Sequence, residues 1–155
     1  MLDVEVGSMD STVAVRRRAA SRKPVRIALI VLVLLVAVGA VFGGIGLIAD
    51  NAIGMLPEWL DGTPFVSWTV PGVLLLLVVA LPMAVAAIAE MRTLGWAFAA
   101  SMVAGAAQLG WIVAQWLIIG KYFFLQPVML AAGAAVLILA WLAHRGESLF
   151  HPRNS

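Results

Sequence analysis

Four stretches of the chain contain no Asp, Glu, Lys or Arg: residues 27–49, 62–89, 93–120 and 122–144. Together they hold 102 of the 155 residues. Each is longer than the roughly 20 apolar residues that a helix needs to cross the hydrocarbon core of a bilayer. A backbone in lipid must satisfy its own hydrogen bonds, and a continuous apolar run does so as a helix. The expected architecture is therefore an all-α, polytopic membrane protein: a bundle of four transmembrane helices. The chain is 63% hydrophobic and 12% charged, against about half and a quarter in soluble domains. That balance excludes a soluble globular enzyme and a disordered chain. The absence of Cys removes disulfides, thiolate catalysis and Cys-ligated metals.

The spans are expected at about 27–48, 70–89, 94–120 and 123–143. Residues 1–26 read as a basic, disordered tail, 49–69 as a loop and 144–155 as a second tail. The 22 apolar residues of 27–48 exceed the h-region of a signal peptide. No small-x-small cleavage site follows them, so they read as an uncleaved first helix. Ser67 or Thr69 is expected to cap the second span, and Pro71 suits its first turn. Pro82 falls inside that span and should kink it, which makes it the candidate hinge.

Lys and Arg counts orient the bundle. With the N-terminus cytoplasmic, nine basic residues lie inside and only Lys121 outside, which favours both termini in the cytoplasm and a plasma-membrane location. Arg16, Arg17, Arg18, Arg22, Lys23 and Arg26 precede the first span and are candidate contacts for anionic lipid headgroups. No aromatic platform accompanies them, so no nucleic acid is expected. Aromatic residues flank the spans, with Trp59, Phe65, Trp68, Tyr122, Phe123 and Phe124 at the outer interface and Trp96, Phe98 and Trp141 at the inner one.

Polarity within the spans gathers on the third helix. Ser101, Gln108 and Gln115 are seven apart and share one face, with Trp111 in the same stripe. An uncompensated amide in hydrocarbon is costly, so this face points toward other helices. It serves either helix contact or a polar lining for a solute path. Small residues at four-residue spacing, Gly39/Gly43, Ser101/Gly105, Ala106/Gly110 and Ala131/Ala135, suit close helix packing. Of these, Gly39, Gly43, Gly105 and Gly110 are the candidate close contacts. In the outer loop, Pro57 can open a short helical turn that Asp61-Gly62 closes. Asp50, Glu58 and Asp61 read as solvated loop carboxylates, not as a metal site. His144 and His151, beside Arg145 and Arg153, read as part of a lipid-facing tail.

No ionisable residue is expected at membrane depth, where ion-coupled transporters usually keep one. The nearest, Glu90, is expected at the end of the second span facing Arg92. Nucleotide-binding, hydrolase and metalloprotease motifs are absent, and no enzyme activity or cofactor is expected.

Gly62-Thr63-Pro64-Phe65, Pro71-Gly72 and Gly110-Trp111-Ile112-Val113 with Gln115 lie in a segment, Leu56 to Trp116, that resembles a loose group of four-pass membrane proteins of high-GC actinobacteria with no established function. The resemblance implies a plasma-membrane location and brings no activity or site residues. The leading functional expectation is a non-enzymatic accessory or scaffold subunit of an envelope complex, partnered by another membrane protein or by itself. The alternative is a small transporter or channel for a neutral or lipid-like solute, lined by Ser101, Gln108, Trp111 and Gln115.

Overall fold

The computed structural model describes residues 3–49, 51, 53–120, 122 and 125–145, with side chains from Lys23 onward. Four helices carry the fold: α1 (Asp3–Ile48), α2 (Thr69–Met91), α3 (Ala97–Ile119) and α4 (Leu125–His144). All four are long and apolar enough to cross a membrane, α1 through its segment Lys23–Ile48. Their outward faces are apolar: Phe42 is 75% exposed and Leu117 81%. Such surface is tolerated where the surrounding medium is lipid.

The helices pack as a ring in the order α1, α2, α3, α4 and back to α1, so α1 lies diagonal to α3 and α2 to α4. The short connections after Met91 and Ile119 keep α2, α3 and α4 antiparallel neighbours in sequence. Arg26 near the start of the first span meets Glu90 at the end of α2, and Glu90 meets Ser101 and His144 at the start of α3 and the end of α4. The chain therefore enters and leaves the bundle at one end, here the Glu90 end. The 49–68 connection covers the opposite, loop end.

Several expectations need correcting. The first helix begins at Asp3 instead of Ile27. Residues 8–22 lack apolar periodicity but contain no glycine or proline and four arginines and three alanines, all compatible with helix. Missing amphipathicity is not missing helicity. Pro24 lies inside this helix. The second span is preceded by Trp68, with no side-chain cap from Ser67 or Thr69. The third starts at Ala97, after the tight turn through Thr93 (φ 53°), and stops at Gly120 in the left-handed region (φ 63°).

Pro82 does disturb α2, but by changing the winding of the preceding turn. Leu76–Ala80 form a π-helical turn, and the Leu81 N–H donates to the Leu76 carbonyl five residues back. Such a turn holds one extra residue relative to α-helical winding, and Pro82, without an N–H, sits directly after it.

One close crossing joins α1 and α2. A Cβ on Gly72 would lie 2.7 Å from the Gly44 carbonyl oxygen, and one on Gly44 would lie 2.7 Å from Leu76. A second crossing joins α3 and α4, where a Cβ on Gly105 would lie 2.7 Å from Leu137 and one on Gly133 2.9 Å from Gln108. Gly105 thus packs closely, and Gly43 makes an ordinary contact with Leu75. Gly39 and Gly110 have no neighbouring atoms within 4 Å of an added Cβ and are not close contacts. Gly44, Gly72 and Gly133 take that role.

Candidate functional site

Two polar assemblies occupy the interior. At one end, the Glu90 side chain is fully buried and bonded to all three other helices. Arg26 Nε donates to Glu90 Oε2 at 3.2 Å, and a terminal Arg26 nitrogen donates to the Glu90 carbonyl at 2.6 Å. Ser101 Oγ donates to Oε1 at 2.9 Å, and His144 Nε2 lies 2.9 Å from the same oxygen. Phe98 stacks obliquely on the His144 ring, with centroids 5.5 Å apart. A buried carboxylate is tolerated when it is paired and its lone pairs are filled, and both conditions hold.

This assembly revises four expectations. Glu90 does not face Arg92, which is exposed. Arg26 is not a free headgroup contact, because its side chain, 31% exposed, is committed to Glu90. His144 does not face lipid; its side chain is 10% exposed. Ser101 lines no path but closes on Glu90. Lys23 is exposed; the side chains of Arg16, Arg17, Arg18 and Arg22 lie outside the described ones, as do His151 and Arg153. The only sequence signal for the cluster is that Arg26, Glu90, Ser101 and His144 each stand near a span terminus. Their meeting depends on helix phase.

Above Glu90 the bundle is solid. Leu29, Val33, Met83, Ala86, Ala104, Val136 and Ala140 are all fully buried there. Toward the loop end the helices part around a cavity of about 520 Å³. Val36 and Ala40 of α1, Val79 of α2 and Gln108 of α3 wall its deeper part, and Trp111, Ile112 and Gln115 continue the α3 wall. Leu125, Gln126 and Met129 supply the α4 wall, and Ile53–Leu56 with Trp59 lie at the loop side. Along α3, Gln108 and Gln115 are separated by about 10 Å at 1.5 Å per residue. The expected polar stripe is therefore split: Ser101 belongs to the Glu90 cluster, whereas Gln108, Trp111 and Gln115 line the cavity.

The amides differ in how they are satisfied. Gln126 Oε1 accepts from Trp116 Nε1 at 2.8 Å. Gln108, 2% exposed, donates through Nε2 to the Met129 carbonyl at 3.4 Å, while its Oε1 is buried without a partner among the described residues. An unpaired buried acceptor costs about 1–3 kcal/mol.

The loop covering this end is ordered by local bonds. Pro57–Leu60 form the expected short helical turn, here a 3-10 helix, and Gly62 (φ 79°) follows it. The Asn51 side chain bonds both the N–H and the carbonyl of Met55. Trp59 and Phe65, both partly buried, pack on a small cluster of Leu47, Leu60 and Trp68. Glu58 and Asp61 are exposed, and Asp50 lies outside the described residues. No metal-ligating group of three or more acidic, His or Cys residues occurs among the described residues.

Comparison with known protein families, curated proteins and solved structures finds no match to this chain.

Proposed function

We propose that this four-helix membrane protein is a non-enzymatic binding component that holds a neutral, lipid-like molecule in the cavity at its loop end. The observation that carries this reading is the pairing of a 520 Å³ space with a mainly apolar wall and a few amides, the composition expected of a small-molecule site. The packed core between Gln108 and Glu90 favours a holding site over a continuous pore. The positive-inside bias supports placing the Glu90 end at the cytoplasm and the cavity in the outer half of the plasma membrane, consistent with the actinobacterial resemblance.

The test is mass spectrometry of the chain released from mild detergent. A neutral lipid-sized adduct at about one per chain is expected in the wild type and lost in Gly39→Leu. At Gly39, on the cavity wall, an added side chain meets no neighbour. A wild-type chain that never carries an adduct would sink the reading.

The accessory-subunit reading has its own support. An apolar groove of about 750 Å³ runs between α1 and α2, lined by Leu34, Val38, Val41 and Ile45 opposite Ala84 and Ile88. A helix of another membrane protein fits such a surface through close packing. Purification with a stable heterologous membrane partner supports it; a chain that purifies alone as a discrete homo-oligomer counts against it.

A further inference from the structure

We infer that the cavity opens sideways to the bilayer between α1 and α4 and takes a lipid head-first: an uncharged glycerol head lies against Gln115 beneath the loop, while its acyl chain extends into the bilayer. The inference rests on the binding reading above and names the class of molecule and its direction of entry.

The opening is marked by residues that belong to the cavity wall and to the outer surface at once. Gly39 and Phe42 of α1 and Leu125 of α4 line the cavity. All three are exposed, Phe42 to 75% and Leu125 to 40%. On the α2 and α3 side the wall is closed, with Val79 and Ile112 only 1% and 3% exposed. Phe42 stands six residues before Ile48, the last residue of α1. At 1.5 Å per residue the opening therefore begins about 9 Å inside the helix end, where the surrounding medium is hydrocarbon.

Three amides stand on the wall, and they are not equivalent. Gln108 Oε1 is sealed, so no molecule in the cavity reaches it. Gln126 Oε1 already accepts from Trp116. Gln115 is partly exposed, and its amide is neither sealed nor hydrogen-bonded among the described residues. It lies four residues before Ile119, the end of α3, with Ile53–Leu56 and Trp59 covering that side of the cavity. A head that reaches Gln115 is enclosed by protein.

The amide defines what that head must carry. It offers N–H donors and one carbonyl acceptor. A hydroxyl answers both, donating to Oε1 and accepting from Nε2, and glycerol supplies two hydroxyls on adjacent carbons. An alkane answers neither, and an ether or ester oxygen only accepts. Among the described residues no charged side chain lines the cavity, and burying an unpaired charge is costly. Phosphate and ammonium heads are therefore disfavoured. Insertion in the reverse sense would leave the head at Phe42 and Leu125, among apolar side chains.

Size supports an external chain. At about 30 Å³ per water, 520 Å³ corresponds to roughly 17 waters. That holds a glycerol head and the first part of one acyl chain, but not a whole oleoylglycerol. The remainder passes the Gly39–Phe42 edge into lipid, so the site reads the head and not the length of the chain.

The test places a photoreactive group at either end of one lipid. The full chain in phosphatidylcholine vesicles is irradiated with 1-oleoylglycerol carrying a diazirine beside the glycerol or at the chain end, and labelled positions are mapped by mass spectrometry. The head-proximal probe is expected to label saturably around Trp111, Gln115 and Met129, while the chain-end probe marks mainly phospholipid. At equal mole fraction in the bilayer, 1-dodecanoylglycerol should compete as well as 1-oleoylglycerol. The 3-phosphate of 1-oleoylglycerol should compete about ten-fold less well, because its charge finds no partner on the wall. Gln115→Leu should weaken competition by 1-oleoylglycerol about five-fold, the scale of one net hydrogen bond, with the thermal transition unchanged. Gly39→Leu, whose side chain enters the opening without meeting a neighbour, should suppress labelling by the head-proximal probe.

A chain-end probe that labels the cavity, with the head-proximal probe on the outside of the loop, would overturn head-first entry and leave the binding reading standing. Undiminished competition in Gln115→Leu would overturn the placement of the head, again leaving that reading intact. Labelling that is non-saturable and spread over the outward helix faces would overturn both.

Discussion

His144 Nε2 and Glu90 Oε1 lie 2.9 Å apart although 54 residues separate them in the chain, and they join the diagonal helices α2 and α4 across the centre of the bundle. Ser101 reaches the same oxygen from α3, and Arg26 reaches the other from α1. One carboxylate thus sets the relative rotation of four helices. Removing one member of a buried ion pair costs about 3–5 kcal/mol, because the remaining charge is left uncompensated.

Glu90→Ala is therefore expected to lower stability by about 3 kcal/mol, measured by denaturant unfolding in detergent micelles. Arg26→Met in the Glu90→Ala background should cost much less than Arg26→Met alone, because the partner has already gone. The double-mutant cycle should give a coupling of about 0.5–3 kcal/mol. A zero coupling would mean that the pair contributes nothing to the fold.

The glycines separate by where they lie. Gly72→Ala drives a methyl group against the Gly44 carbonyl oxygen, at 2.7 Å in the unrelaxed backbone, and should destabilise by about 1–3 kcal/mol. Gly110→Ala enters open space and should be neutral or slightly stabilising, since alanine favours helix by up to about 1 kcal/mol. Thermal unfolding of the two variants side by side distinguishes them.

The π turn predicts an asymmetry in single-residue deletions. Deleting Leu77, which is 57% exposed, removes the extra residue of Leu76–Ala80 and lets that turn close as α-helix, with Gly72 and Glu90 still in phase. Deleting Val85 instead rotates Glu90 by about 100° relative to Gly72. The first variant is expected to remain folded and monodisperse in size-exclusion chromatography, and the second to aggregate.

Orientation is testable directly, because the chain has no cysteine. A cysteine at the exposed position Glu58 should react with a membrane-impermeant maleimide added to intact cells. One at the exposed position Arg92 should react only after permeabilisation. The reverse pattern would invert the proposed topology.

Spans, connections and the Pro57 turn were legible in the sequence because each depends on a local property. A run free of charge reports the length of a membrane-crossing helix, and a proline followed by Asp-Gly reports a turn. The seven-residue spacing of Gln108 and Gln115 placed both on one wall within a single regular helix. Glu90 was misread because its partners are not on its own helix. The period of 3.6 residues cannot carry phase through a turn that holds one more residue, so the face Glu90 presents is not countable from Gly72. Gly44 and Gly72 were missed for a related reason: they form a pair between two helices, whereas the small-residue spacing rule compares positions on one.

What the sequence alone determined is the number of crossing helices, their approximate limits and the concentration of polarity on α3, all consequences of one-dimensional pattern. Tertiary structure decided which polar group meets which. Packing phased four helices so that one carboxylate is saturated at the Glu90 end, while Gln108, a few turns away along α3, keeps an unpaired acceptor beside a cavity. Apolar area and chain length are sums over residues and can be read in order. Hydrogen-bond satisfaction depends on distance and direction between elements far apart in the chain, and it exists only once the helices are in place.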